Sequence, residues 1–152
     1  MKNLEKHINS LKGYVEHHLH SNAAITTSTV GWQIDHSLRV INSVVSVLQN
    51  SSIADFNRNF NWKRTVVFFT KSIPRGKAKA PQAVQASADI TLPALQILFE
   101  ETIKSIEILR NLDRNTNFKH PFFGVLNLKQ SIIFLEIHTN HHLKIVQDSL
   151  KS

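Results

Sequence analysis

The chain has 152 residues and no cysteine. Without cysteine it cannot form a disulfide, a thiolate zinc site or a cysteine nucleophile, so histidine, aspartate and glutamate are the side chains left to bind a metal ion. Long apolar stretches are missing too. No run approaches the roughly 20 residues needed to span a bilayer, and residues 1–7 lack the apolar core of a secretion signal. We therefore expect a cytoplasmic protein without a membrane partner.

The formal net charge is +7 and the sequence pI is about 9.9, which would suit nucleic acid if the positive charges formed a stripe. They are instead spread along the chain, apart from one local group: Lys71, Arg75, Lys77 and Lys79. That group could attract an anionic substrate, but a solvated loop is the simpler interpretation. We expect no nucleic-acid partner. The length fits a single domain over residues 1–152.

Apolar residues recur every three or four positions along most of the chain, which is typical of amphipathic helices. The first such stripe consists of Leu4, Ile8, Leu11, Val15 and Leu19. The predicted helices span residues 3–20, 29–49, 59–71, 93–111 and 127–150. Two prolines and a glycine between Ile73 and Pro81 predict a long irregular basic loop over residues 73–89.

Helices with one apolar side bury that side most simply against one another. We therefore predict an all-α fold, an antiparallel four-helix bundle with an additional short helix and the long basic loop. Asn127, with Gln130 three residues later, is typical of a capping box at the start of the last helix. Metal sites are often built in bundle cores, so histidines on the apolar sides are of most interest.

The last predicted helix carries two histidines four residues apart, His138 and His142. At about 100° per residue both fall on the apolar side of the helix, whereas Glu136 and Asn140 fall on the opposite side. Buried imidazoles need partners, and one metal ion would satisfy both rings. The competing interpretation is two core histidines bonded to carbonyls or hydroxyls. Thr139 stands where a zincin would carry its glutamate base, which argues against peptidase chemistry of that kind.

His36 lies at the border of the apolar side of the second helix, so its ring could face inward as a third ligand. Three protein ligands leave a position open for water or substrate. Imidazole suits zinc, nickel, copper and iron(II), so the metal stays open. His141 would be a surface or supporting residue, or a replacement ligand, and His120 could line a pocket mouth or cap the last loop. We interpret a further cluster as an exposed helix end: His17, His18 and His20.

Several short motifs occur in an order that resembles the DinB/YfiT superfamily of metal-binding helical bundles. In chain order they are Gly31 through Leu38, the Pro74-Arg75-Gly76 loop, His120 through Gly124, and Glu136 through Ile145. The closer similarity is to a DinB-related family of uncharacterised bacterial proteins, and it covers nearly the whole chain. The resemblance implies that His36, His138 and His142 correspond to the superfamily's metal-binding triad. It also implies thiol transfer with a low-molecular-weight thiol, or hydrolysis, although many members have no known reaction.

Two classes of function follow. In the first, the protein is an enzyme in which a divalent metal, such as zinc, nickel or iron, lowers the pKa of a bound water or thiol and generates a nucleophile at neutral pH. Its substrate would be a low-molecular-weight thiol or another small molecule. In the second, a non-catalytic bundle stores or senses a metal, or acts as a homodimer. The sequence offers no convincing catalytic acid or base besides the histidines, and Glu136 is a weak candidate base.

Overall fold

The structure, a computed structural model, describes residues 1–53, 56, 60–75 and 90–151. Within these residues the chain forms five α-helices and one two-stranded antiparallel sheet. The elements are α1 (Lys2–Lys12), α2 (Val30–Gln49), α3 (Trp62–Thr70), α4 (Leu92–Asn111), β1 (Asn117–His120), β2 (Gly124–Asn127) and α5 (Leu128–Ser149). The fold is mostly helical, as predicted. The predicted basic loop lies, from residue 76 to residue 89, outside the described residues.

Side-chain caps fix where the three long helices begin. Thr29 accepts a hydrogen bond from the backbone N–H of Trp32 at 3.1 Å, and Thr91 caps α4 in the same way. Asn127 and Gln130 form the predicted capping box at the start of α5. Each cap stabilises its helix by about 1 kcal/mol, because it satisfies backbone donors that have no partner inside the helix.

α1 is shorter than predicted. The apolar stripe predicted a helix over residues 3–20, but α1 ends one residue before Gly13 and a short 3₁₀ turn follows. Glycine has low helix propensity, which favours an end at this point. The carbonyl of His18 then accepts a hydrogen bond from the N–H of Gly31 at 2.8 Å, which holds the chain against the start of α2. Leu19, the last residue of the predicted apolar stripe, is 76% exposed.

α2 is the central helix, and it packs against both α4 and α5. Gln33, in the first turn of α2, contacts His142 on α5. His36, one turn later on α2, contacts His138, which lies one turn before His142 on α5. The order of contacts is reversed between the two helices, so they run in opposite directions.

α2 and α4 run in the same direction. Ile90, just before α4, lies against Gly31 at the start of α2, and Gln49 and Asn111 at the two carboxyl ends line one shallow groove. The predicted antiparallel arrangement therefore does not hold for this pair. The physical reason is the long connection over residues 50–91, which lets the chain return to the end at which α2 started.

Apolar side chains of α1, α2, α4, α5 and the hairpin form one continuous core. Its fully buried members include Leu4, Leu11, Ile34, Leu38, Ile41, Leu48, Leu95, Leu109, Leu126 and Leu135. Burial of such side chains supplies most of the folding free energy, at about 25 cal/mol for each Å² of apolar surface removed from water. None of the helices in the described ranges is long and apolar enough to cross a lipid bilayer.

A β-hairpin stands where the sequence predicted only a loop between the last two helices. Its register pairs Phe118 with Leu126 and Lys119 with Val125. Gly124 begins the second strand with φ 71°, a conformation that glycine adopts without strain. Each strand has four residues, which is too short for alternation to be recognised in the sequence. The fold is therefore helical with a small sheet rather than all-α.

α3 begins later than predicted and is attached to the hairpin by one buried cation. Arg64 is 9% exposed, and its guanidinium donates hydrogen bonds to the carbonyls of Phe123 at 3.2 Å and Val125 at 3.3 Å. Two large apolar side chains of this helix face away from the core, since Trp62 is 63% and Phe69 89% exposed. α3 therefore holds the hairpin in place through polar contacts as well as packing.

Candidate metal centre

Three histidines from two helices come together beside α2. His36 lies on α2, and His138 and His142 lie on neighbouring turns of α5. One nitrogen from each ring lies within 4.8 Å of the corresponding nitrogen of the other two. The ring centroids are separated by 4.5 to 5.1 Å. This grouping could hold a metal ion, and it contains the three residues that the sequence singled out.

The ring of His36 faces inward, an orientation that the helical pattern left open. Its side chain is only 4% exposed, because α2 is covered by neighbouring elements on most of its sides. Trp32, one turn earlier, stacks on the imidazole with 4.9 Å between ring centroids and 18° between ring planes. Trp32 thus packs against the ring of a candidate ligand.

Gln33 is a member of the site that sequence reasoning missed. Its Oε1 accepts a hydrogen bond from Nδ1 of His142 at 2.6 Å, and its side chain is 3% exposed. On the other side of the same ring, Nε2 lies 3.3 Å from Nε2 of His138. The available signal was position, since Gln33 precedes His36 by three residues and therefore shares its side of the helix.

The surroundings of the two α5 histidines disfavour a positively charged imidazole. Burial lowers the pKa of His138 and of His142 well below the ordinary value, and repulsion from the neighbouring imidazoles, including His36, lowers both pKa values further. A neutral ring keeps one nitrogen lone pair for a metal ion. Nδ1 of His138 is buried and meets no hydrogen-bond partner among the described residues. Buried polar atoms without partners are uncommon and often mark functional positions.

The remaining sequence candidates lie outside this grouping. His141 is half-buried and packs edge-on against His142 at 5.1 Å, so its place is beside the site. Glu136 points away from the pair and binds the amino terminus of Met1 at 2.9 Å. Arg75 of the basic group pairs with Asp148 at 2.6 Å. The predicted roles of Lys77 and Lys79 fall outside the described residues.

The other cluster, residues 17–20, is largely exposed, as predicted. His20 nevertheless has a structural contact, since its Nε2 donates to the backbone carbonyl of Ser149 at 2.9 Å. This bond ties the segment before α2 to the end of α5.

His120 caps the hairpin turn, which was one of its two predicted roles. Its Nδ1 accepts hydrogen bonds from the backbone N–H groups of Phe122 at 3.1 Å and Phe123 at 3.2 Å. Its ring stacks on Phe123 and meets the edge of Phe134, whose ring lies 5.5 Å from that of His138. Burial lowers the pKa of His120 to about 4, which keeps Nδ1 free to accept.

Protonation of His120 should couple stability to pH. Between about pH 6.5 and pH 4, His120 binds a proton in the unfolded chain but not in the folded protein. Its contribution to the free energy of unfolding is therefore fully present above pH 6.5 and is lost as the pH falls. We expect a His120→Asn variant to lose less unfolding free energy than wild type between pH 7 and pH 4.5. Urea unfolding at both pH values measures the difference. Equal losses in His120→Asn and wild type would contradict the assignment.

Comparisons with protein-family models, with curated proteins and with solved structures gave no match. The case for a metal site therefore rests on the geometry of the three histidines and on the chemistry of their side chains.

Proposed function

We propose that this protein binds one divalent transition metal ion through His36, His138 and His142. The observation that carries the proposal is the distance of 3.3 Å between Nε2 of His138 and Nε2 of His142. Two imidazole ligands at about 2.0–2.1 Å from a tetrahedral ion lie about 3.4 Å apart, so the α5 pair already has the separation that such an ion requires. An N–H···N hydrogen bond between the two rings would give the same distance, and the nitrogen of His36 within 4.8 Å of both favours a metal ion instead.

The donor set selects the class of metal. Three neutral imidazoles suit zinc, nickel, copper or iron(II), with zinc, nickel or iron as our candidates, whereas calcium and magnesium prefer oxygen ligands. The residues present therefore fit the ion that the sequence resemblance implies.

The DinB/YfiT-like identity of the fold is part of this proposal. Its support is the order of elements along the chain: a histidine near the start of α2, a hairpin carrying the His-Pro-Phe-Phe-Gly segment, and the histidine pair on α5. The four helices α1, α2, α4 and α5 share one core, as a helical bundle of this kind requires.

The proposed activity is metal-dependent thiol transfer or hydrolysis on a small molecule. When bound, the ion would supply a Lewis acid that lowers the pKa of a water or thiol in the remaining ligand position. The chain's own contribution is to hold the three rings and to restrict water around them. Trp32 stacks on His36, and Phe134 packs beside His138, so apolar rings cover the histidines on two sides.

A non-catalytic metal-binding or dimerising bundle is the second candidate. The acidic residues closest in sequence to the ligands are paired with other groups, which favours a role without acid–base catalysis. Asp35 pairs with Arg39 at 2.6 Å, and Glu136 pairs with the amino terminus. The exposed apolar side of α3 would suit self-association, since Trp62 and Phe69 both face solvent.

Cobalt substitution separates these candidates. We expect metal-free protein to bind Co²⁺ with the intense visible absorption of a low-coordinate site, and we expect added 2-mercaptoethanol to produce sulfur-to-cobalt charge-transfer absorption. The thiol response requires an open ligand position. Visible absorption bands that do not change when 2-mercaptoethanol is added would support the non-catalytic candidate. The absence of visible bands would contradict metal binding altogether.

A further inference from the structure

The hydrogen bond between Gln33 and His142 fixes which ring nitrogen carries the proton. The Oε1 atom of Gln33 lies 2.6 Å from Nδ1 of His142, a short bond between two side chains that are 3% and 7% exposed. An amide oxygen can only accept, so Nδ1 must donate. In a neutral ring with the proton on Nδ1, Nε2 then holds a lone pair.

Without Gln33, the Nε2–H tautomer of His142 would be favoured, because its proton has a hydrogen-bond acceptor nearby. If Nε2 of His142 carried the proton, it could donate to Nε2 of His138 at 3.3 Å, and that bond would occupy the atom needed for a metal ion. The bond to Gln33 is shorter by 0.7 Å, the difference between 3.3 Å and 2.6 Å, and is the stronger of the two. Gln33 thus favours the tautomer in which Nε2 of His142 carries a lone pair and not a proton.

We infer that Gln33 is a positioning residue of the metal site, which holds His142 as the Nδ1–H tautomer with Nε2 directed towards the ion. This inference rests on the proposed function. Partners of this kind fix the tautomer and orientation of a ligating imidazole and raise its basicity, and their loss typically costs 10- to 100-fold in metal affinity.

Contacts within α2 hold Gln33 firmly enough to position the ring of His142. It lies in the first turns of α2, its backbone N–H donates to the carbonyl of Thr29, and its own carbonyl accepts from the hydroxyl of Ser37 at 2.7 Å. A neutral amide also adds no buried charge to the site, which a carboxylate acceptor would do at a cost in desolvation. The acceptor is therefore rigid, buried and uncharged.

Two substitutions distinguish the role of Gln33 as a hydrogen-bond acceptor from its role in packing. Gln33→Leu keeps the approximate size and removes the acceptor, and Gln33→Glu keeps an acceptor at the same place. Asn42→Leu is the matched control, because it also changes an amide of α2 into leucine. Its side-chain atoms are buried and have no hydrogen-bond partner in the part of the chain that the structure describes. Thermal unfolding of each metal-free variant reports whether folding is retained.

The first readout is the tautomer of His142 in metal-free protein, measured by long-range ¹H–¹⁵N NMR correlations. We expect the Nδ1–H form in wild type, in Gln33→Glu and in Asn42→Leu, and a shift towards the Nε2–H form in Gln33→Leu. The second readout is Zn²⁺ affinity from competition with a chelating dye. We expect a loss of about 10- to 100-fold in Gln33→Leu and less than about threefold in Gln33→Glu and Asn42→Leu.

The outcomes distinguish this inference from the proposed function. If wild type binds no Zn²⁺, the proposed function fails, and the NMR measurement alone decides whether Gln33 fixes the tautomer. If wild type binds Zn²⁺ and Gln33→Leu binds it equally well, Gln33 is a packing residue and the inference is overturned. An equal loss of affinity in Gln33→Leu and Asn42→Leu would likewise overturn it.

Discussion

A variant with His138→Ala and His142→Ala should lose Zn²⁺ affinity by at least about 1,000-fold, which corresponds to about 4 kcal/mol of binding free energy. Both rings are turned towards one point, so removal of the pair leaves His36 as a single ligand from this grouping. Structural zinc sites depend on the combined contribution of several ligands, and one imidazole does not retain the ion. Dye competition at pH 7 measures the change.

The matched control removes two other histidines. A variant with His17→Ala and His141→Ala should bind Zn²⁺ within about threefold of wild type, because His17 is exposed and His141 lies beside the site. A large loss in the control would place His141 among the ligands. Wild-type affinity in the His138→Ala, His142→Ala variant would contradict the assignment of the site.

A Gly31→Ala substitution should destabilise the fold by roughly 1–3 kcal/mol, as expected for inserting a methyl group into a packed interior. An ideal Cβ at Gly31 would lie 2.8 Å from the carbonyl oxygen of His18 and 3.0 Å from Cγ2 of Ile90. The first atom belongs to the backbone, so relief requires a shift of the segment before α2. Alanine's better helix propensity, about 1 kcal/mol, offsets only part of this cost. Urea unfolding of metal-free protein measures the difference.

Gly13→Ala is the control for this substitution. A Cβ at Gly13 would meet only the carbonyl oxygen of Ser10 at 3.4 Å, an ordinary contact, and the residue already has helical backbone angles. We expect its stability to match or exceed that of wild type by up to about 1 kcal/mol. If both alanine variants are equally stable, the close approach at Gly31 has no energetic consequence. If Gly31→Ala is destabilised as expected, the shift should also weaken Zn²⁺ binding, because Gln33 and His36 lie on the same helix.

The sequence predicted those features of the site that depend on local periodicity. His138 and His142 share one side of a long helix, and a 3.6-residue period places them inward whatever the neighbouring helices are. The orientation of His36 at the border of its apolar side depended on how fully α2 is covered. The bond from Gln33 to His142 joins residues more than 100 positions apart, so no local pattern indicated it.

The errors in the predicted fold have similar causes. The stripe over residues 3–20 continued past Gly13 in the sequence, but α1 ends at Lys12, and the segment that follows bonds to the start of α2 through the carbonyl of His18. The four-residue strands of the hairpin are too short to show alternation. The direction of α4 relative to α2 depends on the path of the connection over residues 50–91, about which helical spacing carries no information.

The central claim is that His36, His138 and His142 form one metal site, and a Zn²⁺ titration of metal-free wild-type protein by calorimetry tests it most directly. The protein should carry no affinity tag, because a histidine tag would bind the ion itself. We predict a single saturable transition at one Zn²⁺ per chain, with a dissociation constant below about 1 μM, which corresponds to about −8 kcal/mol. A titration with no saturable binding, or with only weak binding of several ions per chain, would contradict the claim.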